Sequence, residues 1–145
     1  MPAPDPRIIR FIKRHHVLNL ATVSELGPWA CSCFYVFTNE PPRFLFTSDK
    51  STRHISEAMT EQRVAGTITL ETKIIGKIRG LQFTGRMAEC TGEAFQEARR
   101  LYLKRFPYAA PFMGGTALWE ISVDQLKLTD NRLGFGKKLI WCKNS

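Results

Sequence analysis

Apolar and polar residues alternate with a period of two through most of the chain, and three stretches keep helical spacing instead. The first helical stretch opens at Asp5-Pro6, where an aspartate can cap the helix and proline fills its first position. Ile8, Phe11 and Ile12 follow at helical spacing among Arg7, Arg10, Lys13 and Arg14, so a short amphipathic helix is expected to end near His15-His16. From Val17 the pattern changes. Val17–Val23 reads as an apolar strand, Ser24-Glu25-Leu26-Gly27-Pro28 as a turn, and Trp29–Thr38 as the returning strand of a hairpin. Asn39-Glu40-Pro41-Pro42 is a second tight turn before a strand at Arg43–Thr47. Ser48–Lys50 then leads into a helix over Thr52–Thr60, with Ile55, Ala58 and Met59 apolar.

Val64–Leu70 alternates as a half-buried strand, and Glu71–Lys77 reads as a loop or ragged hairpin. Ile78–Cys90 predicts a long strand whose Gly80 and Gly85 point to a bulge or sharp bend. Glu93–Phe106 is the clearest helix: Phe95, Ala98, Tyr102 and Phe106 share a face, with Arg99, Arg100, Lys104 and Arg105 mostly off it. After a loop at Pro107–Gly115, Ala117–Thr129 predicts one or two strands and Leu139-Ile140-Trp141 a last one. Six or seven strands with short inserted helices lack the rhythm of a doubly wound sheet. The expectation is a mainly β fold, an antiparallel split β-barrel, in a single domain over residues 1–145.

A chain of 145 residues can bury roughly 70% of its unfolded surface, enough for one core. Its 43% hydrophobic and 23% charged residues are a globular composition. The longest apolar runs, such as Phe44-Leu45-Phe46, are too short for a bilayer, and Met-Pro-Ala-Pro-Asp-Pro at the start is unlike a signal; a cytoplasmic protein without membrane association is expected. The formal net charge of +8 favours an anionic partner: nucleic acid, an acidic surface or a phosphorylated small molecule. The basic residues are dispersed rather than blocked, which disfavours nucleic acid. Cys31 and Cys33 form a C-x-C that puts both thiols on one strand face, where small buried hydrophobes are expected ahead of a zinc or redox site.

The most informative stretch is Thr47-Ser48-Asp49-Lys50-Ser51-Thr52-Arg53-His54, where a strand gives way to a helix. Amides at a helix start favour anions, and here they stand with two cations, Lys50 and Arg53, and three hydroxyls, Ser48, Ser51 and Thr52. A phosphate monoester fits that chemistry. The alternative at this point is a helix cap with solvated charges. A second candidate is Gln82, a mid-strand amide in Ile78-Arg79-Gly80-Leu81-Gln82-Phe83-Thr84-Gly85 that could face a flat polar ring. His15, His16 and His54 have no carboxylate, Ser or Cys partner at a recognisable spacing. With no triad, paired carboxylates, Walker loop or metal motif, redox chemistry would have to come from a bound cofactor.

The order of these elements, with Ser48–His54, Val64–Leu70 and Ile78–Gly85 in their places, resembles the pyridoxamine 5'-phosphate oxidase-related, FMN-binding split-barrel superfamily over nearly the whole chain. The tail Leu128-Thr129-Asp130-Asn131-Arg132-Leu133-Gly134-Phe135-Gly136-Lys137-Lys138 is similar to that of its YhbP-like branch. The resemblance implies a six-stranded barrel paired as a homodimer, with FMN in a groove between subunits. It places Ser48 and, above all, Lys50, Ser51, Thr52 and Arg53 at the FMN phosphate, Gln82 at the flavin's polar edge, and Phe34, Tyr35 and Val36 along the isoalloxazine. The oxidase's substrate-binding arginine and histidine have no match, since Trp141-Cys142-Lys143 stands there, so pyridoxamine phosphate oxidation is not implied. The leading functional reading is an FMN-dependent oxidoreductase of unknown small-molecule substrate. A non-catalytic homodimer without cofactor stands second, and a nucleic-acid-binding barrel last.

Overall fold

A computed structural model describes residues 2–144. Helix α1 (Pro6–Arg14) starts where the sequence places it: the Asp5 carboxylate accepts the Arg7 amide at 2.8 Å, and Ile8, Phe11 and Ile12 form the buried face. Lys13 and Arg14 occupy its last turn, where cations complement the helix dipole. Strands β1 (Val17–Ser24) and β2 (Gly27–Phe34) form the expected hairpin, paired from Val17 with Phe34 to Ser24 with Gly27.

The strand expected over Trp29–Thr38 is two strands. β2 ends at Phe34, and after Tyr35 the chain enters β3 (Val36–Asn39), which pairs with β4 (Pro42–Thr47). Tyr35 fixes the break: its amide donates to the His16 carbonyl at 3.0 Å, and its buried hydroxyl donates to the Ile12 carbonyl at the end of α1. A contact with a helix far back in the chain, and not a local turn residue, therefore divides the strand.

Helix α2 (Arg53–Thr60) follows β4, and β5 (Arg63–Thr69) and β6 (Arg79–Glu89) form the next antiparallel pair. The intervening Glu71–Lys77 loop contains a 3-10 turn at Ile75–Lys77. Helix α3 (Glu93–Arg105) and a second 3-10 turn (Pro107–Phe112) precede β7 (Leu118–Asp130), which is one strand, and β8 (Lys138–Cys142) pairs with it. The sheet runs β2-β1-β5-β6-β7-β4-β3, all antiparallel, with β8 added to the far half of β7. Among the described residues it thus has eight strands where six or seven are expected. The bulge anticipated from Gly85 lies between Thr84 and Gly85, where a β-carbon would sit 2.5 Å from the Ser122 carbonyl.

Inward residues Leu18, Leu20, Phe44, Phe46, Leu81, Phe83 and Trp119 fill the barrel, and α1 closes it with Ile8, Phe11 and Ile12. A smaller cluster lies outside the barrel wall, where Tyr102 and Phe106 of α3 and its end cover Val36, Leu45 and Leu118. Both sides of β4 are therefore buried, which explains its unbroken Phe44-Leu45-Phe46 run. Among the described residues, no helix is long and apolar enough to cross a membrane.

Candidate functional site

The junction of β4 and α2 is held from both sides. Indole Nε1 of Trp119 donates to the Ser48 carbonyl at 2.9 Å, fixing the strand end. The Ser51 amide and hydroxyl both donate to Asp49 Oδ1, at 2.8 and 2.7 Å, which shapes the turn. Thr52 occupies the cap position, one residue before the observed helix start, but its hydroxyl donates backwards to the Asp49 carbonyl at 2.9 Å. The first-turn amides of α2 consequently have no side-chain cap. Such amides lack intrahelical partners and offer an anion site.

Arg53 is oriented by two groups. Its Nε donates to Glu57 at 3.3 Å, one helical turn on, and its guanidinium carbon lies 4.3 Å from the Trp29 ring centroid. Glu57 is itself buried and accepts from the hydroxyls of Thr22, at 2.8 Å, and Ser24. The Ser24 hydrogen bond, with those of Thr22 and Arg53, holds the Glu57 carboxyl below its ordinary value. Lys50 turns instead to Glu89, 3.0 Å away, and remains largely exposed. Of the two expected phosphate cations, Arg53 is preorganised and Lys50 is tethered elsewhere.

The lowered Glu57 value gives a sign-definite expectation. Because the folded value lies below the unfolded one, the network's contribution is complete above the ordinary glutamate range and is lost as pH falls through the lowered value. Denaturant titrations from about pH 6 down to about pH 3 should show Glu57→Gln less stable than the parent at the upper end, with the gap closing towards the acid end.

The remaining expected residues are scattered. Phe34 is half exposed and lines a cavity of about 470 Å3 with Ser48, Tyr102, Phe106, Tyr108 and Phe112. Tyr35 and Val36 do not line it. Tyr35 lies in the barrel core and Val36 beneath α3, because the strand break turns them away from the surface. Gln82 is exposed on the outer face of β6, in register with Thr67, Asn19 and Ser32 across β5, β1 and β2. The Asn19 amide donates to Thr67 at 3.2 Å and accepts from Ser32 at 2.9 Å. Trp29 alternates to the opposite face of β2, so within one chain Gln82 is not brought to the β4–α2 junction.

The chain also makes a cluster that spacing does not reveal. Cys31 and Cys33 share one face of β2 as expected, with their sulfurs 3.8 Å apart, and they are half buried against the core. His54 comes to them from α2, so that one of its ring nitrogens and the two sulfurs lie within 4.8 Å of one another. His54 therefore does have partners. Its Nε2 is 2.7 Å from the Ser48 hydroxyl, and burial pulls the ring below its ordinary value by disfavouring the charged form. Two thiols and a neutral imidazole could hold a thiophilic cation with one position open. The C-x-C on one strand face and a histidine in the next helix are the available signal, but their meeting is set by packing across the 20 residues that lie between Cys33 and His54.

No protein-family model matches the chain. It is 37% identical over 145 residues to a UPF0306 protein of Yersinia pestis, an alignment that covers 99% of this chain and 97% of that one. Among solved structures, a conserved hypothetical protein of Mycobacterium tuberculosis superposes with a TM-score of 0.76 at 16% identity, over 97% of this chain and 94% of that one. A heme-binding protein of Mycobacterium smegmatis gives 0.74 at 16%, over 90% and 54%. A FAD-binding protein of Mesorhizobium loti gives 0.71 at 11%, over 85% and 91%. At such identities these neighbours bear on the fold alone, which is an antiparallel split β-barrel. The extent and identity of the Yersinia match establish that the chain belongs to the UPF0306 family.

Proposed function

We propose that this chain binds FMN as a homodimer and serves a flavin-dependent oxidoreduction of a small molecule, as a cytoplasmic member of the YhbP-like branch. One observation carries the reading: the first-turn amides of α2 are left without a side-chain cap beside an arginine already oriented by Glu57 and Trp29. Those amides and Arg53 suit a phosphate monoester; the Ser48 hydroxyl stands beside them, and the Ser51 and Thr52 hydroxyls would turn from Asp49 to join them. When bound, the flavin would supply the electron and hydride chemistry. Flavin and heme binding by the structural neighbours is consistent with a cofactor at this kind of barrel.

The ring end needs a second copy. Gln82 lies on the far sheet face from Arg53, so a groove that uses both must be built between subunits. The outer face around Gln82 is suited to pairing: Ala21, Ala65 and Thr84 are small, exposed and flank a shallow cavity of about 400 Å3. The partner subunit's Gln82 would meet the flavin held by Arg53. Proteins carrying Arg53→Ala and Gln82→Leu should each bind FMN weakly, while an equal mixture allowed to exchange subunits should recover about one intact site in four. No recovery in exchanged dimers would sink the shared site.

The Lys50–Glu89 pair, which diverts one of the two expected phosphate cations, is the observation on the side of the second reading, a non-catalytic dimer without cofactor. It requires that FMN leave the protein's heat stability unchanged.

A further inference from the structure

Five arginines converge at the end of the barrel remote from α2. Arg7, Arg10 and Arg14 recur three and four residues apart along one side of α1, Arg79 opens β6, and Arg132 follows β7. Together with Phe11, Leu128 and Leu133 they line a cavity of about 430 Å3, in which Asp130 is the one acidic lining residue among the described residues. At the other end of β6, the Met87 amide bonds Gln62 just past α2. Eight residues of strand separate Met87 from Arg79, roughly 26 Å, so this cavity is distinct from the β4–α2 junction.

The charges there are not balanced within the chain. Asp5 is committed to Arg7 at 2.8 Å, and buried Asp130 accepts three hydrogen bonds from Arg132. Arg10 and Arg79 feel the same two carboxylates only at longer range. Among the described residues, Arg10, Arg14 and Arg79 form no salt bridge. The Nε of Arg79 is, moreover, buried without a hydrogen-bond partner, a state that buried donors rarely keep. Gathering like charges in a concave site with apolar walls is unfavourable unless an anion neutralises them, and low-dielectric walls sharpen both effects.

We propose that this cavity binds a small organic polyphosphate, its phosphates taken by the guanidinium forks and its apolar portion set against Phe11, Leu128 and Leu133. Guanidinium groups match phosphate oxygens in pairs, which favours phosphate over a point anion. The volume lies within the roughly 300–1,000 Å3 usual for small-molecule sites and exceeds what inorganic phosphate would fill. The apolar floor selects for an organic group.

Calorimetric titration at low salt with ADP and with inorganic pyrophosphate tests this. ADP should bind more tightly than pyrophosphate, and Arg79→Met and Arg10→Ala should each weaken it on the order of tenfold, as loss of one charged partner does. Arg53→Ala, at the other end of the barrel, should leave it unchanged. Absence of ADP binding by the parent protein, equal binding of the two probes, or a loss caused by Arg53→Ala and not by Arg79→Met would each overturn the proposal. These arms stay separate from the flavin reading, because each site has its own arginine variant.

Discussion

Replacing Arg53 with alanine is expected to weaken FMN binding about ten- to a hundredfold, the loss of a charge-assisted partner worth about 1.5–3 kcal/mol. The size follows from how Arg53 is held. Glu57 takes its Nε and Trp29 covers one face, so the remaining N–H groups meet a phosphate with little further ordering. Arg53→Lys should recover only part of the loss, since an ammonium can neither fork onto phosphate nor stack as a plane on Trp29. Lys50→Ala should matter less, because Lys50 is exposed and engaged with Glu89. Flavin fluorescence titration of the four proteins gives the ranking, and a parallel melt is needed because Arg53→Ala leaves the buried Glu57 without its cation. Equal affinity of the parent and Arg53→Ala would remove the phosphate from this junction.

Phe44→Ala should cost about 3–5 kcal/mol of stability, the largest single loss expected in the barrel. Phe44 is fully buried, and its ring centroid lies 4.6, 5.1 and 5.4 Å from those of Phe83, Phe37 and Tyr35. It therefore joins β3, β4, β6 and the break at Tyr35, and no neighbour can collapse into the space without moving a strand. In a thermal melt the midpoint should fall by roughly 10 °C or more. A fall of only a degree or two would mean that the inner faces of β4 and β6 are not packed together.

Local signals carried most of the fold. Asp5-Pro6 marked α1, the alternation marked the β1–β2 hairpin, and Gly85 marked the bulge that lets β6 and β7 bend together. The break at Tyr35 was not legible, because Trp29–Thr38 contains neither glycine nor proline and is divided by a contact with α1. At the site, the strand-to-helix junction with its hydroxyls and Arg53 could be read from the residues. The partners that set each cation's role could not: Glu89 lies 39 residues beyond Lys50, and Trp29 lies 24 before Arg53. The same limit hid His54 beside Cys31 and Cys33, and hid the arginine cavity. In the sequence those arginines look dispersed, and the fold gathers them from a helix, a strand start and a turn.

The most direct measurement is a titration of the purified, cofactor-stripped protein with FMN, followed by flavin absorbance and fluorescence together with a thermal melt. One FMN per chain, quenched flavin emission and a stability gain of roughly 2.7 kcal/mol at about a hundred times the dissociation constant are expected. An unchanged flavin spectrum with no gain in melting temperature would contradict the cofactor site while leaving the barrel intact.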